Sequence, residues 1–196
     1  FWLKINFNEN IFYSFRIAIF NITSIFTGTG YTNANYSNWG GFGLVIMFII
    51  MFIGGCAGST TGGIKIFRLL LLFRISTNQI KRLTHPHGVF ITSFNEKSVD
   101  EDTSNSIMIF FFMYILIFII SSILLSLCDL DFITAMSAAA SAISNVGPGL
   151  GGTIGPDGNY ASLPTTAKWI LAITMLIGRL ELFTFLALLS VNFWKK

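Results

Sequence analysis

Apolar runs dominate this chain, and each is interrupted in its own way. Ile11 to Phe26 is an apolar stretch of 16 residues, short of the roughly 20 that a comfortable membrane crossing needs. It passes into Thr27-Gly28-Thr29-Gly30-Tyr31 and a polar patch, Thr32 to Asn38. That order predicts a short helix that enters the membrane and turns back. Trp39 to Ile64 is uncharged over 26 residues, yet its second half holds five glycines between Gly54 and Gly63. Each glycine costs a helix about 1 kcal/mol relative to alanine. The expectation is helix, an intramembrane break, then helix again from Ile64 to about Ile75. Irregular backbone at that depth needs protein or a water-filled cavity against it.

Lys65 to Arg82 then carries five basic residues and no acid, followed by a polar connector from His85 to Asp102. Thr103 to Cys128 is the clearest full crossing. After Asp129 and Asp131 comes a second short helix, Phe132 to Ser144, ending in Asn145-Val146-Gly147-Pro148-Gly149. A loop rich in Gly and Pro leads to a last long helix, Thr165 to Trp194, closed by Lys195 and Lys196. If Phe132–Ser144 dips in and returns, both basic clusters fall on the cytoplasmic side, as the positive-inside rule asks. A full crossing there would separate them.

Composition agrees with a lipid solvent. The 196 residues are 53% hydrophobic and 11% charged, with mean hydropathy +0.71, against roughly 25% charged in a soluble domain. A net charge of +3 is too small to argue for nucleic acid. Cys56 and Cys128 lack any ligand spacing, so neither a transition metal nor a disulfide framework is indicated. The chain opens on Phe1 with no signal peptide before the first apolar run, which reads as a piece of a longer protein.

The order short helix, glycine-bearing strip, long helix occurs twice. Setting Gly30 on Gly147 also sets Ser24 on Ser141, a spacing of 117 residues; four such units would need about 470. Internal repeats of this kind are typical of membrane transport proteins. A short helix followed by a Gly/Thr strip is the machinery of a cation filter, since its carbonyls can replace an ion's water shell. The competing reading is that these glycines only let helices pack closely.

Four segments carry a family resemblance: Thr27-Gly28-Thr29-Gly30-Tyr31, Gly54 through Lys65, Asn145 through Gly151, and Gly178-Arg179-Leu180-Glu181. Together they resemble the Trk/Ktr potassium-uptake proteins, most nearly the C-terminal half of the bacterial Trk-type membrane subunit. The resemblance implies an all-α integral membrane protein of helix–pore loop–helix repeats with re-entrant helices and a broken transmembrane helix. Residues 1–82 would be part of the third repeat, 83–102 a cytoplasmic connector and 103–196 the fourth repeat. It implies that Thr27, Gly28, Thr29 and Gly30 form one potassium filter strip and Asn145, Val146 and Gly147 another, although the latter lacks the Thr-rich form. Gly54, Gly55, Gly58, Ser59, Thr60, Gly62 and Gly63 would belong to a gating loop below the filter, with Arg179 near it. It further implies potassium as substrate, no covalently bound cofactor, a homodimer, a cytosolic nucleotide-binding regulatory subunit, and a multi-pass place in the bacterial inner membrane.

Arg179 also stands out by position. It lies 14 residues from Thr165 and 15 from Trp194, too central to snorkel, where an unpaired Arg costs roughly 2.5–3.5 kcal/mol. It is therefore expected to face a cavity or a partner; the plainer alternative is that it staples helices through carbonyls. Glu181 is about 200° round the helix from it and is not its local partner. Other signals fail. Gly58 to Lys65 approaches a P-loop, but Ile64 stands where the lysine belongs. His85 and His87 flank Pro86 in a polar loop, where a solvated role is expected. A broken-helix secondary transporter, a cation-coupled solute symporter, is the alternative function. An enzyme would need a convergent intramembrane constellation that the chain does not display.

Overall fold

The computed structural model describes residues 10–56, 58–85, 88, 90, 93–94 and 97–179. The described part of the chain is a set of helices around one short buried helix. Helix α1 (Ile11–Thr27) ends where Gly28 takes left-handed backbone, φ 67°. A single 3-10 turn, Tyr36–Asn38, leads into α2 (Gly40–Phe52). The next helix, α3 (Ile66–Thr84), begins only after an irregular excursion. Two short strands, β1 (Ile53–Gly54) and β2 (Ile64–Lys65), pair in parallel and tie the ends of that excursion together. No helix spans the glycine-rich run between Phe52 and Ile66, and α3 runs nine residues beyond the expected Ile75.

The polar connector holds a small antiparallel pair, Ser93–Phe94 with Lys97–Ser98. Helix α4 (Glu101–Ser126) follows. Among the described residues it supplies the single stretch long and apolar enough to cross a membrane, Asp102–Ser126, with hydropathy 2.8. Only 33% of its most apolar window is buried, whereas a soluble core helix is covered on most sides. Phe112, Ile123 and Leu127 stand exposed on or just after it, as do Phe12 and Phe15 on α1 and Phe73 on α3.

At the centre is α5 (Phe132–Ser144), on the boundaries read from the sequence. Asp131 caps it by accepting from the Thr134 amide at 3.1 Å. Every residue from Ser137 to Ser144 is buried. Its Ala and Ser side chains are small enough for α2, α4 and the last described helix, α7 (Thr165–Arg179, which follows the four-residue α6, Gly151–Ile154), to pack on it at close range. Aromatic rings seal the next layer: Phe52 meets Phe118 edge-on at 5.0 Å and Phe48 at 5.2 Å. Ser121 Oγ and Thr174 Oγ1, 3.0 Å apart, join α4 to α7 where both are otherwise apolar. The expected helix beyond Arg179, with Glu181, Lys195 and Lys196, lies outside the described residues, as does His87.

Candidate functional site

The site is built from two strips and the loop beneath them. Each strip begins where a short helix unwinds. After α1, the Gly28 amide donates to Ile25 O at 3.1 Å and the Thr29 amide to Ser24 O at 3.0 Å. After α5, the Asn145 amide donates to Ala142 O at 3.2 Å and the Val146 amide to Ser141 O at 3.0 Å. Donor and acceptor in the second pair sit 117 positions after their counterparts in the first. The left-handed positions repeat with them: Gly28 (φ 67°) with Asn145 (φ 54°), and Gly30 (φ 74°) with Gly147 (φ 109°). Asn145 fills by tolerance of that region the place Gly28 fills by lacking a Cβ. Two sequences with few identities thus build one backbone device twice.

The strips abut. A Cβ added to Gly30 would stand 2.6 Å from the Val146 carbonyl oxygen, and one on Gly28 would stand 3.4 Å from that of Asn145. The carbonyl oxygens of Asn145 and Val146 therefore face the other strip. Hydroxyls line the first strip instead: Thr27 Oγ1 donates to Thr23 O at 2.7 Å, and Thr29 Oγ1 lies 3.2 Å from Ser24 Oγ. Gly147 is tied back to its own helix. Its amide donates to Ser141 Oγ at 3.1 Å, and its carbonyl accepts from Ser141 Oγ at 2.9 Å and from Tyr160 Oη at 2.8 Å.

Below the strips lies the excursion between β1 and β2. Gly54 and Gly55 are buried, while Gly58, Ser59 and Thr60 are exposed. Gly62 is pressed on the end of α5, so that a Cβ there would collide with the Ser144 carbonyl. Inside the loop, Lys65 turns back rather than outward. Its ammonium donates to Ser59 O at 2.8 Å and to Thr61 O, with Ser59 Oγ and Thr61 Oγ1 each at 3.2 Å. The residue is only 9% exposed. From α7, Arg179 Nη1 donates to the Thr60 carbonyl between those two. Three consecutive carbonyls are thus held by two cations from different elements. A cavity of about 240 Å³ opens beside them, bordered by Thr60, Thr61, Lys65, Arg68, Tyr114 and Arg179. Arg68 stacks over Phe110 at 4.1 Å, and Tyr114 Oη meets Ser144 Oγ at 2.7 Å. Among the described residues no cluster of His, Cys, Asp and Glu fit for a metal occurs.

A family model for cation transport proteins, TrkH, matches residues 9–196. The chain belongs to the TrkH family. It is 45% identical over 185 residues to the Trk system potassium uptake protein TrkI of Halomonas elongata, covering 94% of this chain and 38% of that protein. It is 38% identical over 179 residues to the Trk system potassium uptake protein TrkH of Escherichia coli K12, covering 91% and 36% respectively. The crystal structure of the potassium transporter TrkH from Vibrio parahaemolyticus superposes with TM-score 0.88 at 36% identity. That match covers 98% of this chain and 41% of the other. The TrkH-family chain therefore spans well under half the length of these relatives.

Two features of this TrkH-family site escape a single-offset reading of the sequence. Lys65 reads as the first charge of a basic run, whereas it is a ligand of the loop. The second is a tyrosine pair. Asn35-Tyr36 and Asn159-Tyr160 lie 124 residues apart, and in each the Asn side chain caps a 3-10 turn. Burial pushes both phenols above their ordinary range, so they remain O–H donors. The same offset pairs Met51-Phe52-Ile53-Gly54-Gly55 with Met175-Leu176-Ile177-Gly178-Arg179. Gly178 packs on the Ile143 carbonyl as Gly62 packs on that of Ser144. At this offset Arg179 corresponds to Gly55, where the loop sets out.

Proposed function

We propose that this chain supplies two of the strips lining a potassium pathway through the membrane, together with a loop that obstructs it. The carrying observation is the duplicated turn at the ends of α1 and α5, which brings the two strips side by side with backbone oxygens between them. Thr27, Gly28, Thr29, Gly30, Asn145, Val146 and Gly147 are the filter residues in this reading. The segment from Gly54 to Gly63 obstructs the path from below, and Lys65 and Arg179 hold it there. A loop filled from within by its own lysine favours a movable plug over a solute site, which would leave that space for its ligand. The potassium named for the relatives supports the choice of ion.

The whole protein, in this reading, is a multi-pass protein of the bacterial inner membrane, assembled as a homodimer with a cytosolic nucleotide-binding partner. It moves ions without covalent chemistry. The test is growth on limiting potassium, with rubidium uptake, of potassium-uptake-deficient bacteria expressing the full-length protein. Restored growth and uptake are expected. Uptake of an organic solute without potassium or rubidium flux would overturn the proposal and leave the symporter reading.

A further inference from the structure

Three side-chain cations border one cavity. The space of about 240 Å³ lies between the loop and helices α3, α4 and α7, with Lys65, Arg68 and Arg179 around it. Among the described residues that border it there is no carboxylate. The three cations arrive from separate places: Lys65 from β2, Arg68 from the first turn of α3 and Arg179 from the end of α7. Their donors are engaged to different degrees. The Lys65 ammonium has three N–H groups, and four loop oxygens lie within 3.2 Å of it. Arg68 sets its guanidinium over the Phe110 ring at 4.1 Å. Arg179 has five N–H donors, and among the described residues one contact engages them, Nη1 to the Thr60 carbonyl. The rest of that planar fork belongs to an exposed side chain on the border of the cavity.

We infer that this cavity binds a small free oxyanion of the phosphate class, held by Arg179 and Arg68, which serves as counter-ion to the latch on the loop. A guanidinium fork matches two oxygens of such an anion, and Arg179 can offer that pair while Nη1 stays on Thr60. Arg68 and Lys65 attract the same anion, more strongly in a partly buried space than in bulk water. A cation meets the reverse. The same charges set the consequence. Lys65 and Arg179 grip adjacent carbonyls of one loop and repel each other there. An anion beside both offsets that repulsion, so the occupied cavity holds the loop more firmly. This consequence, unlike the site itself, rests on the reading of the loop as an obstruction.

The test measures binding of radioactive inorganic phosphate to the full-length protein in phosphatidylcholine bilayers, with chloride at equal ionic strength as the comparison. Saturable binding with a dissociation constant of about 1 mM is expected from two charge-assisted contacts. Arg179→Gln and Arg68→Gln are each expected to weaken it about tenfold, and because they sit on separate helices one decides the question should the other misfold. Arg179→Lys keeps the charge without the fork and is expected to fall between. At saturating phosphate, rubidium flux through the same proteoliposomes is expected to drop about fivefold. Absence of saturable binding, or equal binding by wild type and whichever glutamine variant keeps the wild-type thermal midpoint, overturns the site. Binding lost when phosphatidylglycerol replaces phosphatidylcholine gives the cavity to a lipid headgroup and overturns the free anion. Binding without any change in flux overturns the counter-ion role. Absence of rubidium flux from the wild type removes the reading of the loop as an obstruction, while the phosphate measurement still decides the site.

Discussion

Replacing Lys65 with methionine is expected to unseat the loop below the strips. Methionine keeps most of the apolar stem and removes the ammonium that spans Ser59 and Thr61. Hydrogen bonds to charged groups contribute about 1.5–3 kcal/mol each, and two go to carbonyls that then lose their donor. Against this stands the desolvation of a lysine only 9% exposed, a cost methionine does not carry. A net loss of about 3 kcal/mol remains, or on the order of 100-fold in the ratio of displaced to seated loop. Radioactive rubidium flux into proteoliposomes holding the full-length protein reads this directly, with membrane abundance and thermal midpoint measured beside it. Lys65→Arg keeps the charge on a wider, planar head and is expected to fall between. Wild-type flux from a well-folded Lys65→Met protein would refute the reasoning, because the loop would then be held by something other than its lysine.

Arg179→Ala is expected to raise the same flux by about tenfold, less than Lys65→Met, because one exposed contact to Thr60 O is lost and solvent weakens it; an effect larger than that of Lys65→Met would reverse the assignment of the main clamp. Gly62→Ala drives a Cβ into backbone at the end of α5. An overpacking cost of about 1–3 kcal/mol should appear as a lower thermal midpoint together with leak, and an unchanged midpoint would mean that the loop does not press on α5. Asp131 is held below its ordinary range by the Thr134 hydroxyl first and the Thr134 amide next. Because the folded value is lowered, its contribution is present above the unfolded carboxylate value and is lost as pH falls through the folded one. Asp131→Ala should therefore cost about 1 kcal/mol near neutral pH, and the gap from wild type should close below roughly pH 4 in thermal melts.

Much of this site is legible in the residue pattern because its main devices are local. The turn at the end of α5 needs a small residue or an Asn in left-handed backbone directly after a run of Ala and Ser, and Ser141–Asn145 states that outright. The break between α2 and α3 follows from five glycines in ten residues. What the pattern hides has two causes. Lys65 follows a glycine run and precedes a polar helix face, so its charge reads as a surface signal. Its burial comes from the direction of loop carbonyls, which have no periodicity to read. The tyrosine pair is hidden by register: the offset is 117 up to the strips and 124 after them, because the second strip is followed by a longer connection that includes the helical turn Gly151–Ile154. An alignment that keeps one offset passes over Tyr36 and Tyr160 and finds only the strips.

The parallel pairing of Ile53 with Ile64 bears on speed. Both feet of the segment stand side by side on the same short ladder, so in the reading proposed above, where the segment obstructs the path, it would swing clear as a flap while its anchorage stays fixed. In that reading neither α2 nor α3 would have to bend or slide. Closing a free loop of about ten residues takes roughly 10–100 ns, far less than a rearrangement of packed helices, which belongs to microseconds and beyond. Once the cationic latches let go, the flap itself sets no slow step; brief, flickering openings are the electrical signature to look for.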